Sequence, residues 1–305
     1  MREHIIKISG SAVEEPGLSG HLLRDLTEVF VTGAEQALRY RLEGKSTARG
    51  PQPVWLRRAA DFQITSLDLH SPRRELGLQA RSLVESMAEQ FGQAELFDDL
   101  DPRRSPLDLF EDALADALDG KADSDAFDHP LLQTCAAFET ILSAGIDSIE
   151  IMNGRTVRID PTSMLRVVSL TKNTFAERRV SLAGRIDLIR YSDCRFTLIT
   201  KDGAKVAGTA KDLGTEALRD AFGKDVVITG RAEFRPSGRL LRIEAESVDS
   251  ASEKDLQIFS AVPRSLSAAA PIQRAPTKGG LAALLGKWPG DEPLEPLLAQ
   301  LGDLS

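Results

Sequence analysis

The sequence predicts an α+β fold class: an N-terminal α+β domain, then a small five-stranded β-barrel, then a flexible linker and a partner-binding tail. Three observations predict it. Strand-like and helix-like runs are mixed between Met1 and Leu170, which is how a sheet with helices packed on it reads. Five alternating runs follow between 180 and 248, with a helical run between the third and the fourth. After Phe259 the periodicity stops, and Ser, Ala, Pro and Gly dominate. The 305 residues, 42% hydrophobic and 28% charged, suffice for two cores.

The elements run in this order. Ile5, Ile6 and Ile8 mark a strand over 3–9. Leu22, Leu23, Leu26, Val29, Phe30, Ala34 and Leu38 recur at helical spacing and predict a helix over 19–43. After the loop GKSTARGPQP, VWLRRA and FQITSLDL both read as strands, and 74–92 reads as a helix. Residues 95–129 hold twelve Asp or Glu against three Lys or Arg, a net of −9. Leu107, Leu109, Phe110, Leu114 and Leu118 still recur there, so the segment reads as a helix with a solvated acidic face. An acidic docking surface is its second reading. A short helix is expected over 130–144. SIEIMNGRTVRID predicts a hairpin at 148–160, because Asn153-Gly154 accepts positive φ at both centres of a type I′ turn. Pro161 can open the next helix, where its missing N–H costs nothing. This first domain spans 1–170.

The second domain spans 171–249. Its strands are expected at 180–191, 195–200, 204–209, 225–235 and 238–248, with a helix at 212–223 that Asp212 can cap and Gly223 can end. Gly184 and Gly230, inside long strands, suit the bends of a small barrel. This order of elements resembles an OB-fold barrel; an SH3-like barrel is the competitor, and it explains the helix less well. The linker is 250–280, with 260–276 expected to lack stable structure, and the tail is 281–305.

Composition narrows the function. A net charge of −8 excludes a chain that binds nucleic acid along its whole length. Cys135 and Cys194 form no metal-ligand spacing and no disulfide framework, which fits a reducing cytosol. The N-terminus lacks the apolar core of a signal peptide, and no apolar run reaches the length of a membrane span. A bacterial-type, cytoplasmic protein is expected. His4, His21, His70 and His129 are scattered, and no phosphate-binding glycine loop or nucleophile elbow occurs. The reading is therefore non-enzymatic, with no catalytic residue, metal or cofactor. Within 173–248, fourteen Lys or Arg face eleven Asp or Glu, a net of +3. Arg185, Arg195, Lys205, Arg231 and Arg242 are the candidates for phosphate contact in the alternative reading, a nucleic-acid-binding barrel or scaffold.

The tail reads GGLAALLGKWPGDEPLEPLLAQLGDLS. Leu281, Leu284 and Leu285 form one short apolar segment. Trp288-Pro289-Gly290-Asp291 turns the chain, and Leu294, Leu297 and Leu298 form a second. A Trp and leucines beyond a linker are what folding upon a partner requires. Leu284, Leu285, Gly286, Trp288, Pro289, Gly290, Asp291 and Glu292 resemble the C-terminal tails of bacterial antitoxins encoded beside PIN-domain ribonuclease toxins. That resemblance is confined to the tail. It implies that this tail folds onto a PIN-domain toxin and inhibits it, with Lys287 near the toxin's acidic metal site. Antitoxins of that class are short and open with a small DNA-binding domain, and 1–250 resembles neither a ribbon-helix-helix nor a swapped hairpin. The resemblance thus implies neutralisation and not operator binding.

Overall fold

The computed structural model describes residues 1–13, 17–48, 50–68, 74–88, 100–191, 194–259 and 261–263. The chain divides into two units, Met1–Leu266 and Ser267–Ser305, and all described residues lie in the first. The expected tail at 281–305, with every partner-binding residue named on it, and the expected linker beyond 263 lie outside the described residues.

The first layer is a five-stranded sheet in the order β2-β3-β1-β4-β5. Its strands are β1 (Arg2–Ser9), β2 (Phe62–Asp68), β3 (Arg74–Ala80), β4 (Ser148–Met152) and β5 (Thr156–Ile159), all antiparallel. Alternation puts Ile6, Ile8, Leu76, Leu78, Ile149 and Ile151 on one face, buried. The other face is solvated and carries ion pairs, Lys7–Glu75 at 3.0 Å and Arg158–Glu150 at 3.3 Å.

Helices cover the apolar face. α1 (Gly20–Glu43) buries Leu22, Leu26, Val29, Phe30, Ala34, Ala37 and Leu38 along one stripe. Gly44 ends it in the left-handed conformation (φ 77°), its N–H on the Tyr40 carbonyl at 2.8 Å. Gly33 matters for its missing side chain, since a Cβ there would overlap the Phe110 ring. That gap lets α4 (Pro106–Leu118) close on α1 and build the Phe30, Phe110 and Phe138 cluster, with ring centroids 5.7–6.5 Å apart.

Several sequence expectations change in this domain. VWLRRA is a helix, α2 (Val54–Ala59); Leu56 and Ala59, three apart, are its buried pair. Residues 74–80 are strand β3 and not a helix, because Leu76, Leu78 and Ala80 alternate with Glu75 and Gln79 in a period of two. A capping box of Ser82 and Glu85 then starts the short α3 (Leu83–Ser86). The acidic side of α4 is solvated only in part: Asp108 and Glu111 are buried with its leucines, while Asp112 and Asp116 are half-buried. The 130–144 segment makes two helices, α5 (His129–Ala136) and α6 (Phe138–Ser143). The hairpin stands where expected, but its loop is Asn153-Gly154-Arg155. Met152 pairs with Thr156, and Gly154 (φ 71°) alone is left-handed, so the turn is not type I′. α7 (Pro161–Asn173) follows, with Asp160 and Ser163 as a capping box.

The second core lies in a closed barrel of β6 (Arg178–Arg190), β7 (Arg195–Ile199), β8 (Lys205–Thr209), β9 (Asp225–Phe234) and β10 (Leu240–Ser250), ordered β10-β8-β7-β6-β9. β8 and β10 pair in parallel, which closes the barrel. α8 (Gly214–Ala221) lies between β8 and β9 and sends Leu218 and Ala221 into the core with Leu182, Ile186, Phe196, Leu198 and Ile228. The strands and the helix lie where the sequence predicts them, with ends displaced by two positions at most. The early part of the expected linker is ordered with the barrel: a Ser252–Asp255 capping box opens α9 (Glu253–Ile258), and the Phe259 carbonyl accepts from the Ala183 N–H at 2.8 Å. Among the described residues no helix is long and apolar enough to cross a membrane.

Gly184 and Gly230 sit where backbone crosses close. A Cβ at Gly184 would lie 2.5 Å from the Ile199 carbonyl oxygen, and one at Gly230 would overlap that of Glu244. Replacing either by Val therefore forces strands apart. We expect Gly184→Val and Gly230→Val each to cost about 1–3 kcal/mol, read from urea unfolding midpoints; an unchanged midpoint contradicts the packing.

Candidate functional site

The barrel and the α+β domain meet along a charged junction. Its α+β side begins where Gly44 stops α1, and the Leu42 carbonyl there accepts from Arg190 of β6 at 3.5 Å. The acidic loop 119–128 supplies the rest. Asp128 is buried and does three jobs. One carboxylate oxygen caps α5 through the Leu131 N–H, the other accepts the Ser46 N–H at 2.8 Å, and that same oxygen takes Arg242 Nη2 at 3.1 Å.

The barrel side is β9, the turn Arg235-Pro236-Ser237-Gly238, and β10. Gly238 (φ 81°) closes that turn, with its N–H on the Arg235 carbonyl at 2.8 Å. Arg235 donates to the carbonyls of Asp123 at 3.0 Å and Ser124 at 2.6 Å and also pairs with Asp125. Ser237 donates to the Asp123 carboxylate, and Arg239 reaches it at 3.4 Å. Buried Arg242 bridges Asp128 and Glu233 and lies over the Tyr40 ring, 5.8 Å from its centroid. Lys45 crosses the other way, to Glu244 at 2.8 Å, and Lys211 stands 3.8 Å from Glu43.

Beside this junction opens a cavity of about 690 Å³. Lys45, Asp128, Arg231, Glu233, Arg242 and Glu244 form its charged wall, with Phe175, Phe234 and Pro130 as apolar patches. Ion pairs join much of this wall, but Arg242 Nε and Nη1 and Arg231 Nε are buried without a hydrogen-bond partner. Burial raises the Glu233 carboxyl above the usual range, although Arg242 opposes it. Burial, and then the Asp128 charge, push the Tyr40 phenol up to about 12. Burial lowers the His129 imidazole, so it is neutral near pH 7. Such an arrangement joins the two domains through a network of ion pairs.

One group of side chains has metal-ligand chemistry among the described residues: His4, Asp108 and Glu111, all buried, with ligand atoms within 4.8 Å. Its members are hydrogen-bonded to one another and to their neighbours. His4 Nδ1 and Glu111 Oε1 are 2.5 Å apart, Ser105 Oγ is 3.3 Å from His4 Nε2, and Asp108 accepts from Ser105, Asn153 and Arg2. The Arg2 guanidinium, part exposed, lies 3.3 Å from Asp108 Oδ1. Burial opposes ionisation of Asp108, but the Ser105 N–H and hydroxyl, with His4 and Arg2, hold its carboxyl below the usual range. These hydrogen bonds tie β1 to the start of α4.

The five barrel cations named from sequence do not converge. Arg242 is buried in the junction, and Arg231 pairs with Glu244 at 3.6 Å and Glu246 at 3.5 Å. Arg195 packs at the end of α1, where a Cβ on Gly44 would meet it at 3.3 Å. Arg185 and Lys205 are exposed and flank Ile199 in one row across β6, β7 and β8. Of the barrel aromatics, Phe196 and Phe234 are buried, while Tyr191 and Phe222 are half exposed. The junction residues Lys45, Asp123, Asp125 and Asp128 escaped sequence reasoning. Their signal was the complementarity of a −9 segment and a +3 segment in one chain. No known family model, curated protein or solved structure matches this chain.

Two outcomes follow from the junction. Arg242→Met leaves Asp128 buried without its cation and Glu233 with Lys45 alone, 3.9 Å away, and we expect it to cost about 3–5 kcal/mol in urea unfolding. Arg239→Ala, on an exposed pair, should stay within about 1 kcal/mol. The pH dependence has a definite sign. The Ser237 hydroxyl, and then Arg239, hold the Asp123 carboxyl below its ordinary value. A depressed folded value stabilises above the unfolded carboxylate range, about pH 4, and that gain is lost as pH falls through the folded value. Asp123→Asn should therefore flatten the acid limb of a plot of unfolding midpoint against pH; an unchanged limb contradicts the assignment.

Proposed function

We propose that this chain is a non-catalytic neutraliser of a PIN-domain ribonuclease toxin, acting in the bacterial cytoplasm. The observation that carries the reading is the stretch Leu284-Leu285-Gly286-Lys287-Trp288-Pro289-Gly290-Asp291-Glu292, followed by Leu294, Leu297 and Leu298. Trp can bury a large apolar area in a partner's pocket, and leucines on both sides of it extend that contact along a groove. Lys287 then faces the carboxylates that hold the toxin's metals. In this reading the body serves as the carrier of the tail.

A second reading gives the barrel a single-stranded nucleic acid. Half-exposed Tyr191 and Phe222, with Arg185 and Lys205 exposed, favour it. Against it, Lys211, Arg235, Arg239 and Arg242 face carboxylates of the α+β domain, so the basic excess of the barrel is answered within the chain.

The test is co-expression of a candidate toxin with the full chain, with a 1–276 truncation and with Trp288→Ala. Loss of an anchoring Trp costs about 2–4 kcal/mol of binding, so Trp288→Ala should weaken protection, and the truncation should abolish it. Full protection by 1–276 removes the tail from the inhibitory element.

A further inference from the structure

The two sheets differ in how they treat their edges. The barrel closes on itself and has none. In the open sheet β5 is a short edge, Thr156–Ile159, that carries Arg158. The opposite edge, β2, is longer, Phe62–Asp68, and pairs with β3 alone among the described residues. From Phe62 to Leu67 it holds no charge and no proline, which are the usual guards of an exposed edge.

The side chains of β2 are set unusually for an edge. A bulge between Ile64 and Ser66 shifts the register, so Ile64 stands opposite Leu78 and Leu67 opposite Leu76. Cross-strand partners share a face, so both point to the helix-covered side of the sheet. Leu76 and Leu78 are 1% exposed there, whereas Ile64 is 47% and Leu67 42% exposed. The apolar layer thus runs one strand beyond its cover. It ends in a bare pair of side chains on a strand with no further strand beside it among the described residues.

We propose that β2 is the dimerisation edge of this protein, and that its partner is β2 of a second copy, paired antiparallel about a two-fold axis. The two-fold runs perpendicular to the sheet and keeps each face with its like, so the apolar pairs of the two copies meet. One register satisfies every position: Ile64 opposite Leu67 of the second copy, Thr65 opposite Ser66, and Gln63 opposite Asp68. No carboxylate then faces a carboxylate, and the product is a continuous ten-stranded sheet. A peptide partner of another sequence would need no such self-complementarity.

Sedimentation of the full chain at micromolar concentration should give a species of twice the 33.2 kDa chain mass. Ile64→Lys and Leu67→Lys change exposed positions and should shift it to monomer, with the thermal transition retained. A second readout stands apart from folding of those variants. Ile64→Cys with Leu67→Cys should yield a covalent dimer on oxidation that the parent chain, with its own Cys135 and Cys194, does not give. A monomeric parent, folded Lys variants that stay dimeric, or a double Cys variant that fails to cross-link would each overturn the proposal.

Discussion

The arrangement of the two domains depends on one buried cation. Arg242 reaches out of the barrel and ends between Asp128 and Glu233 under the Tyr40 ring. Asp128 also caps α5 and holds the Ser46 N–H, so it is fixed before Arg242 arrives. Neither carboxylate could be buried alone at tolerable cost, and neither could the guanidinium. The pair is therefore a condition on geometry more than a source of stability. Where the two surfaces are in register the charges cancel, and any slip leaves an unpaired charge out of water. The exposed contacts of Arg235, Ser237 and Arg239 extend the match along the acidic loop.

That condition explains how the barrel's basic excess sits in an acidic chain. Segment by segment, 95–129 is strongly negative and 173–248 is positive. Read alone, the barrel looks like a surface for phosphates and the acidic run like solvated helix. Their internal contact is narrower than either segment: Asp123, Asp125 and Asp128 meet Arg239, Arg235 and Arg242.

Legibility in the sequence followed the range of the interaction. The barrel strands were readable because alternation and turn chemistry are local: Gly203 and Gly238 take positive φ where the turns need it. The hairpin at 148–160 was readable for the same reason. VWLRRA was not, because the run is short and opens with Val54 and Trp55, residue types common in strands, and only the spacing of three between buried Leu56 and Ala59 marks the helix. β3 was not, because Glu75, Leu76, Leu78, Gln79 and Ala80 are all good helix formers, which hid their period of two. The site residues were least legible. Asp128 is one of twelve acidic residues in its segment, and what sets it apart is a partner, Arg242, that the sequence places in another domain. The tail is the converse case, a short motif read from residue types alone.

The central position of β1 bears on synthesis. Its partners β3 and β4 are distant in the chain, so that Ile6 stands opposite Leu76 on one side and Ile151 on the other. Until Met152 has left the ribosome, one side of β1 has no strand beside it. Ile6 and Ile8 then wait for Ile149 and Ile151. Pairings this distant slow folding, and they lengthen the interval in which a nascent chain offers bare backbone to its neighbours. The barrel, whose strands are close in sequence, closes later in synthesis but with shorter loops to order. Chaperone demand for this protein should therefore concentrate on the stretch from Met1 to Met152.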